Sequence, residues 1–278
     1  MRLTHENKVE RFYTHGTKLR SVQENGFLSF GYWDENTADY KLAVKNLLGL
    51  VLQKEEPLNG GLVLNVACGY GAETFSIYEK LKPDRIIAVD ITEAHINCAK
   101  SEAERKRLSE KIYFEKMDAC SLPYEDGTFN YIIGIEGPAH FNTREKFLRR
   151  GFDLLATGGI LLMSDIIVDS VASRKNWFYR RLSRFCSKHW FMPENNWMSI
   201  DELECLLNDI GYRNIVLQSI GGNVYPGFAK FNTRWTSVIN AVKIRGLRIG
   251  IALTFISWLL GFTYRIGLTD YVLIKAVK

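Results

Sequence analysis

Little in this sequence points to stabilisation by covalent cross-links or metals. The five cysteines (Cys68, Cys98, Cys120, Cys186, Cys205) are odd in number and widely spread, and no two form a C-x-x-C pair. Neither a disulfide framework nor a zinc site is indicated. No metal ligand set is expected, and reduced thiols in a cytoplasmic protein are the simplest reading. No export signal is expected either, because Met1 to Lys8 carries charges where such a signal needs its apolar core. Internal repeats and low-complexity segments are lacking. The excess of positive charge is small, 36 Lys and Arg against 31 Asp and Glu for a net charge of +5, and does not by itself indicate a nucleic-acid partner. The most hydrophobic stretch, Ile249 to Tyr264, is uncharged but shorter than the roughly twenty apolar residues that cross a bilayer.

What is present is the composition of an ordinary globular chain, 46% hydrophobic and 24% charged over 278 residues. That is enough for one α/β core with a cap. The basic residues are unevenly placed. Arg174, Lys175, Arg180, Arg181, Arg184 and Lys188 fall between Val171 and Trp190 with no acidic residue among them, and Lys243, Arg245 and Arg248 precede the apolar stretch.

Up to about Asn59 the pattern is polar and helical with aromatic punctuation, and Leu42, Val44, Leu47, Leu48 and Val51 recur at helical spacing. Beyond Gly61, short apolar runs alternate with helical patterns. Leu62 to Ala67, Arg85 to Asp90, Ile112 to Met117, Phe129 to Ile135 and Ile160 to Asp165 read as five strands. The pair Gly158-Gly159 is expected to cap the helix that starts at Arg144. Ser199-Ile-Asp-Glu202 opens a helix as a capping box. Ile215 to Ile220 and Tyr271 to Val277 read as two more strands, with some fifty residues between them. The alternation predicts a doubly wound parallel sheet. Both flanks of Ile249 to Tyr264 lead back to strands of that one sheet, which argues against a membrane crossing.

In such a sheet, ligands bind outside the carboxyl ends of the strands, and there the polar residues concentrate. Asn65-Val-Ala-Cys-Gly69-Tyr-Gly71 is a glycine turn after the first strand, although Thr74 stands where a dinucleotide fingerprint needs its third glycine. Asp90 ends the second strand, where a carboxylate can accept hydrogen bonds from ribose hydroxyls. Asp118-Ala119 follows the third strand, in place to accept an adenine amino group. Glu136 ends the fourth, with Gly137-Pro-Ala-His140-Phe141 just beyond.

These stretches resemble the class I S-adenosylmethionine-dependent methyltransferases. Val63-Leu-Asn-Val-Ala-Cys-Gly-Tyr-Gly71 resembles their first motif and Ile87-Ala-Val-Asp90 their second. Asp118 to Asn130 is similar to their adenine-binding strand end and following turn, and Leu154 to Asp165 to their closing helix, glycine pair and fifth strand. The resemblance implies a Rossmann-like seven-stranded α/β sheet whose last strand is antiparallel. The expected division is an N-terminal helical cover over 1–60 and a methyltransferase domain over 61–278, with inserts at 171–198 and 221–268. S-adenosyl-L-methionine is the implied cofactor and S-adenosyl-L-homocysteine the product. The implied cofactor set is Asn65, Ala67, Cys68, Gly69, Gly71, Asp90, Ile91, Asp118, Ala119, Ile135 and Glu136, with Tyr13 from the cover. Two positions depart from the family: Asn65 stands for an acidic residue, and Ala67, which adds a methyl group to a crowded turn, for glycine.

Methyl transfer needs alignment of acceptor, methyl group and sulfur, exclusion of water and, for some acceptors, removal of a proton. Aromatic faces attract a sulfonium through cation–π interaction. Tyr13, Tyr32 and Trp33 are candidates, because Gly31-Tyr-Trp resembles the covering segment of the branch that methylates quinones, tocopherols and related isoprenoid-type compounds; ordinary helix packing is the alternative. His140 and Glu136 are the candidate catalytic groups for a proton. The acceptor is expected against Tyr32, Trp33, His140, Phe141 and Trp258. Residues 249–264 read as a cap over the acceptor pocket, as a membrane-surface contact within 243–265, or as core. The first two favour a small lipophilic acceptor such as an isoprenoid, quinone, sterol, lipid or related natural product. Contact with nucleic acid is not expected, and surface association with a membrane stays open beside a cytoplasmic location. The rival readings are a membrane-surface binding protein with a relict cofactor fold and a nucleotide-dependent oxidoreductase.

Overall fold

A computed structural model describes residues 4–14, 26–58 and 60–278, apart from the side chains of residues 244, 245, 248 and 249. The expected basic flank at Arg245 and Arg248, the start of the apolar stretch at Ile249 and the Asn59 boundary therefore lie outside the described residues. The apolar runs become strands of one sheet: β1 Leu62–Val66, β2 Arg85–Asp90, β3 Ile112–Lys116, β4 Phe129–Ile135, β5 Leu155–Val168, β6 Arg213–Ser219 and β7 Thr269–Val277. Their order is β3-β2-β1-β4-β5-β7-β6. The first five are parallel, and β7 runs antiparallel between β5 and β6. The chain moves outward from β1 to β2 and β3, then returns to place β4 on β1's other side. This reversal opens a crevice at the carboxyl ends of β1 and β4.

Central strands read as unbroken apolar runs because both their faces are covered. Leu64 and Val66 pack on one side with Ile132, Phe147, Leu203 and Leu207. Val63 faces the other with Phe75, Ile77, Ile86 and Ile96. The helices that supply these layers are α3 Ala72–Leu81, α4 Glu93–Arg105, α5 Arg144–Leu154 and α8 Ile200–Ile210, preceded in the chain by α1 His5–Thr14 and α2 Tyr40–Val51. Local chemistry sets several of their ends. Asp39 accepts from the Leu42 amide to start α2, and Ser199 and Glu202 form the expected capping box on α8, which ends at left-handed Gly211.

Two expectations fail. Residues 26–39 are irregular rather than helical. The glycine pair does not cap α5, which ends at Leu154 with extended Leu155 following. Instead Gly158 donates to the Lys278 carbonyl and Lys278 donates to that of Gly159, so the pair closes the end of the β5–β7 ladder.

The expected inserts are helical. Residues 170–190 form α6 Ser170–Arg174 and α7 Trp177–Trp190, and the β6–β7 connection holds α9 Gly221–Asn232, α10 Trp235–Arg245 and α11 Leu247–Arg265. No helix among the described residues is long and apolar enough to cross a membrane. One buried ion pair fixes the loop after β4. Arg144, 1% exposed, donates from Nε to Asp165 Oδ2 at 2.8 Å and from its terminal nitrogens to the Asn196 and Ile166 carbonyls. Asp165 Oδ1 accepts from the Ala139 amide, and Asn196 Nδ2 donates to the Ala139 and Phe141 carbonyls. The turn Pro138–His140 is thereby held from both sides.

Candidate active site

The carboxyl ends of β1, β2, β3 and β4 surround a cavity of about 280 Å³, lined also by residues of α1, by residues 28–30 and by residues of α9 and α11. At β1 the chain turns through Ala67 (φ 52°) and Gly69 (φ 53°). The Ala67 methyl fits because position 137 is glycine: a Cβ there would stand 2.3 Å from that methyl.

Gly69 donates its amide to Asp90 Oδ2 at 2.9 Å, and Thr92 donates to Oδ1 at 2.8 Å. Burial alone would raise the Asp90 pKa, but His95 and these two amides hold it below the usual carboxylate value. His95 Nδ1 is 3.3 Å from Asp90 Oδ1 but poorly aligned, and both its ring nitrogens are buried without a full hydrogen bond. A ribose at the end of β2 would therefore meet an ionised carboxylate with lone pairs to spare and a histidine with unspent capacity. Asp118 takes the Cys120 amide on one oxygen and lines the cavity beside Met117 and Ala119.

Glu136 ends β4 in the left-handed region (φ 56°). Its Oε1 accepts from the Phe30 amide at 2.7 Å and from the Tyr271 hydroxyl at 2.8 Å. Burial outweighs these donors and pushes its pKa up to about 8. His140 follows, with Nε2 3.2 Å from the Tyr13 hydroxyl and Nδ1 3.4 Å from the Phe191 carbonyl. Desolvation lowers its pKa below the usual histidine value. It lines the same cavity as the apolar side chains of Phe30, Ile166, Phe228, Leu253, Ile256 and Leu260.

The structure thus brings Tyr13, Asn65, Ala67, Cys68, Gly69, Asp90, Ile91, Asp118, Ala119, Ile135, Glu136, His140 and Phe141 to one cavity. Four expected residues do not line it. Gly71 caps α3 with φ 84°, and a Cβ there would stand 2.7 Å from the Phe114 ring; its glycine serves packing between α3 and β3. Trp33 donates its amide to the Asn223 carbonyl and packs so closely on α9 that a Cβ at Gly227 would lie 2.2 Å from its own. Tyr32 is tied to the Ala43 carbonyl and joins the core around Leu47 and Tyr225. Trp258, 51% exposed, stacks on Phe255 and Phe262 along the outside of α11. In their place stand Ser29, Phe30, Glu73, Thr92, His95, Phe228 and the α11 residues. Helical spacing of Leu253, Ile256 and Leu260 was the one signal available for that wall.

Five carboxylates (Glu6, Glu73, Asp90, Asp118, Glu136) line the cavity, and among the described residues no lysine or arginine does. That balance fits a ligand carrying a sulfonium and an ammonium on a nucleoside, as S-adenosylmethionine does.

Comparisons with known proteins agree. The family described as "Methyltransferase domain" matches residues 58–212. The erythromycin 3''-O-methyltransferase of Saccharopolyspora erythraea is 28% identical over 206 residues, 73% of this chain and 67% of that one. The O-methyltransferase cnsE of Penicillium expansum is 25% identical over 77% of this chain and 75% of that one. Among solved structures, the geranyl diphosphate C-methyltransferase of Streptomyces coelicolor A3(2), in complex with Mg2+, geranyl diphosphate and S-adenosyl-L-homocysteine, superposes with a TM-score of 0.78. It is 13% identical, over 99% of this chain and 98% of that one, so it speaks for the fold alone. The oxidoreductase and relict-fold readings find no support here. The chain belongs to the methyltransferase-domain family and is an S-adenosylmethionine-dependent methyltransferase of small-molecule acceptors.

Proposed function

We propose that the acceptor is a small, largely apolar molecule and that the methyl group goes to one of its hydroxyl oxygens, with His140 as the base. The observation that carries this reading is that one cavity is lined by His140, by the polar strand-end residues Asp90 and Asp118, and by the apolar side chains of Phe228, Leu253, Ile256 and Leu260. When bound, S-adenosylmethionine supplies a methyl group that the acceptor oxygen captures as the carbon–sulfur bond breaks. Asp90 and His95 would hold the ribose, and Asp118 and Ala119 the adenine end. The α1 helix and residues 28–30, which line the cavity, would help to shield the reacting groups from water.

His140 is suited to the proton. With Nδ1–H directed to the Phe191 carbonyl, Nε2 keeps its lone pair and now meets the Tyr13 hydroxyl at 3.2 Å. An acceptor hydroxyl taking that place would pass its proton to Nε2. Because desolvation keeps the imidazole neutral, the base is ready at pH 7. Both relatives above are named as O-methyltransferases, which favours oxygen.

The reading is tested with labelled S-adenosylmethionine and a panel of lipophilic alcohols and phenols. His140→Gln should lower turnover on the accepted compound by 10²-fold or more, the usual scale of general-base catalysis, and leave S-adenosylhomocysteine affinity within about twofold. Methyl transfer to nitrogen or carbon, or full activity of that variant, would defeat it.

A membrane-surface contact within 243–265 is favoured by a separate observation. Leu247, Ile251, Phe255 and Trp258 form an apolar stripe along α11, each half exposed or more, while Leu253, Ile256 and Leu260 of the same helix line the cavity. One helix would then lie between a lipid surface and the acceptor pocket.

A further inference from the structure

The cofactor carries two positive charges, and the residues on the page differ in what they can offer each. The strand order β3-β2-β1-β4 sets the direction of the ligand. Adenine belongs at Asp118 and Ala119 beyond β3, and ribose at Asp90 beyond β2. The amino-acid arm then continues to the ends of β1 and β4. At that end Asn65 is neutral, and its amide is spent inside the fold: Oδ1 accepts from the Thr74 hydroxyl at 2.7 Å and Nδ2 donates to the Ile133 carbonyl at 3.1 Å. Glu136 is present, but its Oε1 is held by Phe30 and Tyr271. Glu6 lies on α1, and its Oε1 accepts from Asn142 Nδ2.

Glu73 is different. It stands in the first turn of α3, just behind the Ala67–Gly71 turn, and is 9% exposed while lining the cavity. Its charge is felt by Cys68 after β1 and by Glu136 after β4, so it lies near both strand ends. Its hydrogen-bond partners are its own backbone amide and the Ser29 side chain, and no cation among the described residues acts on it. A carboxylate in the first helical turn has an ordinary role beside the helix dipole, but there it normally stays in water. Enclosure without a countercharge is costly and has pushed the Glu73 pKa up to about 7.

We propose that Glu73 is the carboxylate that receives the α-ammonium of S-adenosylmethionine, so that the charge absent from position 65 is supplied from position 73 on the adjoining helix. The ammonium would lie between Glu73 and the β1 turn, with Ser29 free to turn toward the arm's carboxylate.

The test compares two ligands on the full chain by calorimetry. S-adenosylhomocysteine keeps the amino-acid arm; 5′-methylthioadenosine is the same thioether nucleoside with the arm replaced by a methyl group. Glu73→Gln keeps the size of the side chain and its capacity to bond Ser29. It should weaken S-adenosylhomocysteine binding tenfold or more and leave methylthioadenosine within about twofold. Methylthioadenosine affinity also reports that the variant is folded. Asp90→Ala, acting at the ribose, should weaken both ligands alike by more than tenfold. The proposal is overturned if Glu73→Gln binds S-adenosylhomocysteine as the wild type does, or if it loses both ligands equally.

Discussion

Removal of the Arg144 guanidinium should damage the protein far more than loss of any surface ion pair. Arg144 and Asp165 are 1% and 0% exposed at their side chains. Arg144→Met keeps the aliphatic stem and its packing but leaves Asp165 charged, enclosed and without a counter-ion. Breaking a buried pair in this way costs about 3–5 kcal/mol, and in a chain of this size each kcal/mol lowers the melting temperature on the order of 2–4 °C. Two further bonds, to the Asn196 and Ile166 carbonyls, are lost with the same group. Burial already raises the Asp165 pKa, and Arg144 is the largest influence opposing that rise. Without it the carboxyl binds a proton more readily when folded than when unfolded, so the deficit of the variant should shrink as pH falls and widen as pH rises. Arg149→Met is the control: that arginine pairs with Glu145 at 2.9 Å with both side chains about half exposed, worth about 0.5 kcal/mol or less. Thermal melts of both variants from pH 5 to 8, with methyl transfer measured in parallel, decide the matter. Turnover should fall more than S-adenosylhomocysteine affinity in Arg144→Met, because the network positions the His140 turn. A melting temperature equal to that of Arg149→Met would refute the reasoning.

Other outcomes follow from the same geometry. Leu253→Trp, which adds bulk to the apolar lining of the cavity, should raise KM for the acceptor tenfold or more without changing S-adenosylhomocysteine affinity; equal loss of both would mean that α11 does not line a separate acceptor site. S-adenosylhomocysteine should bind about tenfold more weakly at pH 6 than at pH 8, because a Glu73 carboxyl with a pKa of about 7 must release its proton to meet an ammonium. Titration by calorimetry checks the slope, and a flat profile would contradict it. Phe255→Ser with Trp258→Ser should abolish co-sedimentation with anionic vesicles if the outer stripe of α11 meets lipid, leaving cofactor affinity untouched; vesicle binding that survives both changes would place the contact elsewhere.

Most of the nucleotide half was legible because a strand end is a position that sequence can mark. Apolar runs fix where β2, β3 and β4 stop, and Asp90 at the end of β2, Asp118 and Glu136 just past β3 and β4 are the polar residues there. What a glycine faces is not marked in the same way. Gly69 and Gly71 look equivalent in the motif, yet the first turns the chain at the cavity and the second makes room for Phe114. Trp33 illustrates the same gap for aromatics. A large ring beside a glycine turn is suited to a sulfonium, but it is equally suited to α9, and the choice rests on Gly227, nearly two hundred residues later. Glu73 escaped notice because an acid in a first helical turn is the commonest of patterns, and its burial against groups such as Ser29 comes from parts of the chain distant in sequence.

The acceptor half resisted reading for a stronger reason. On an amphipathic helix, the polar face tells which side is covered. Residues 249–264 have no charged face, so helical spacing yields two apolar stripes with nothing to rank them. One carries Leu253, Ile256 and Leu260, and the other Ile251, Phe255 and Trp258. The sequence reading chose Trp258, the larger and more chemically suggestive side chain, as the acceptor contact. Tertiary placement chose the other stripe, because the small residues Gly250 and Gly261 set α11 against α10 and α9, with an added Cβ meeting Val242 at 2.7 Å and Ala229 at 3.1 Å. The rotation of α11 about its axis is thus fixed by two glycines and not by its hydrophobic pattern. A change at either should move the wall of the acceptor pocket before it disturbs the nucleotide site.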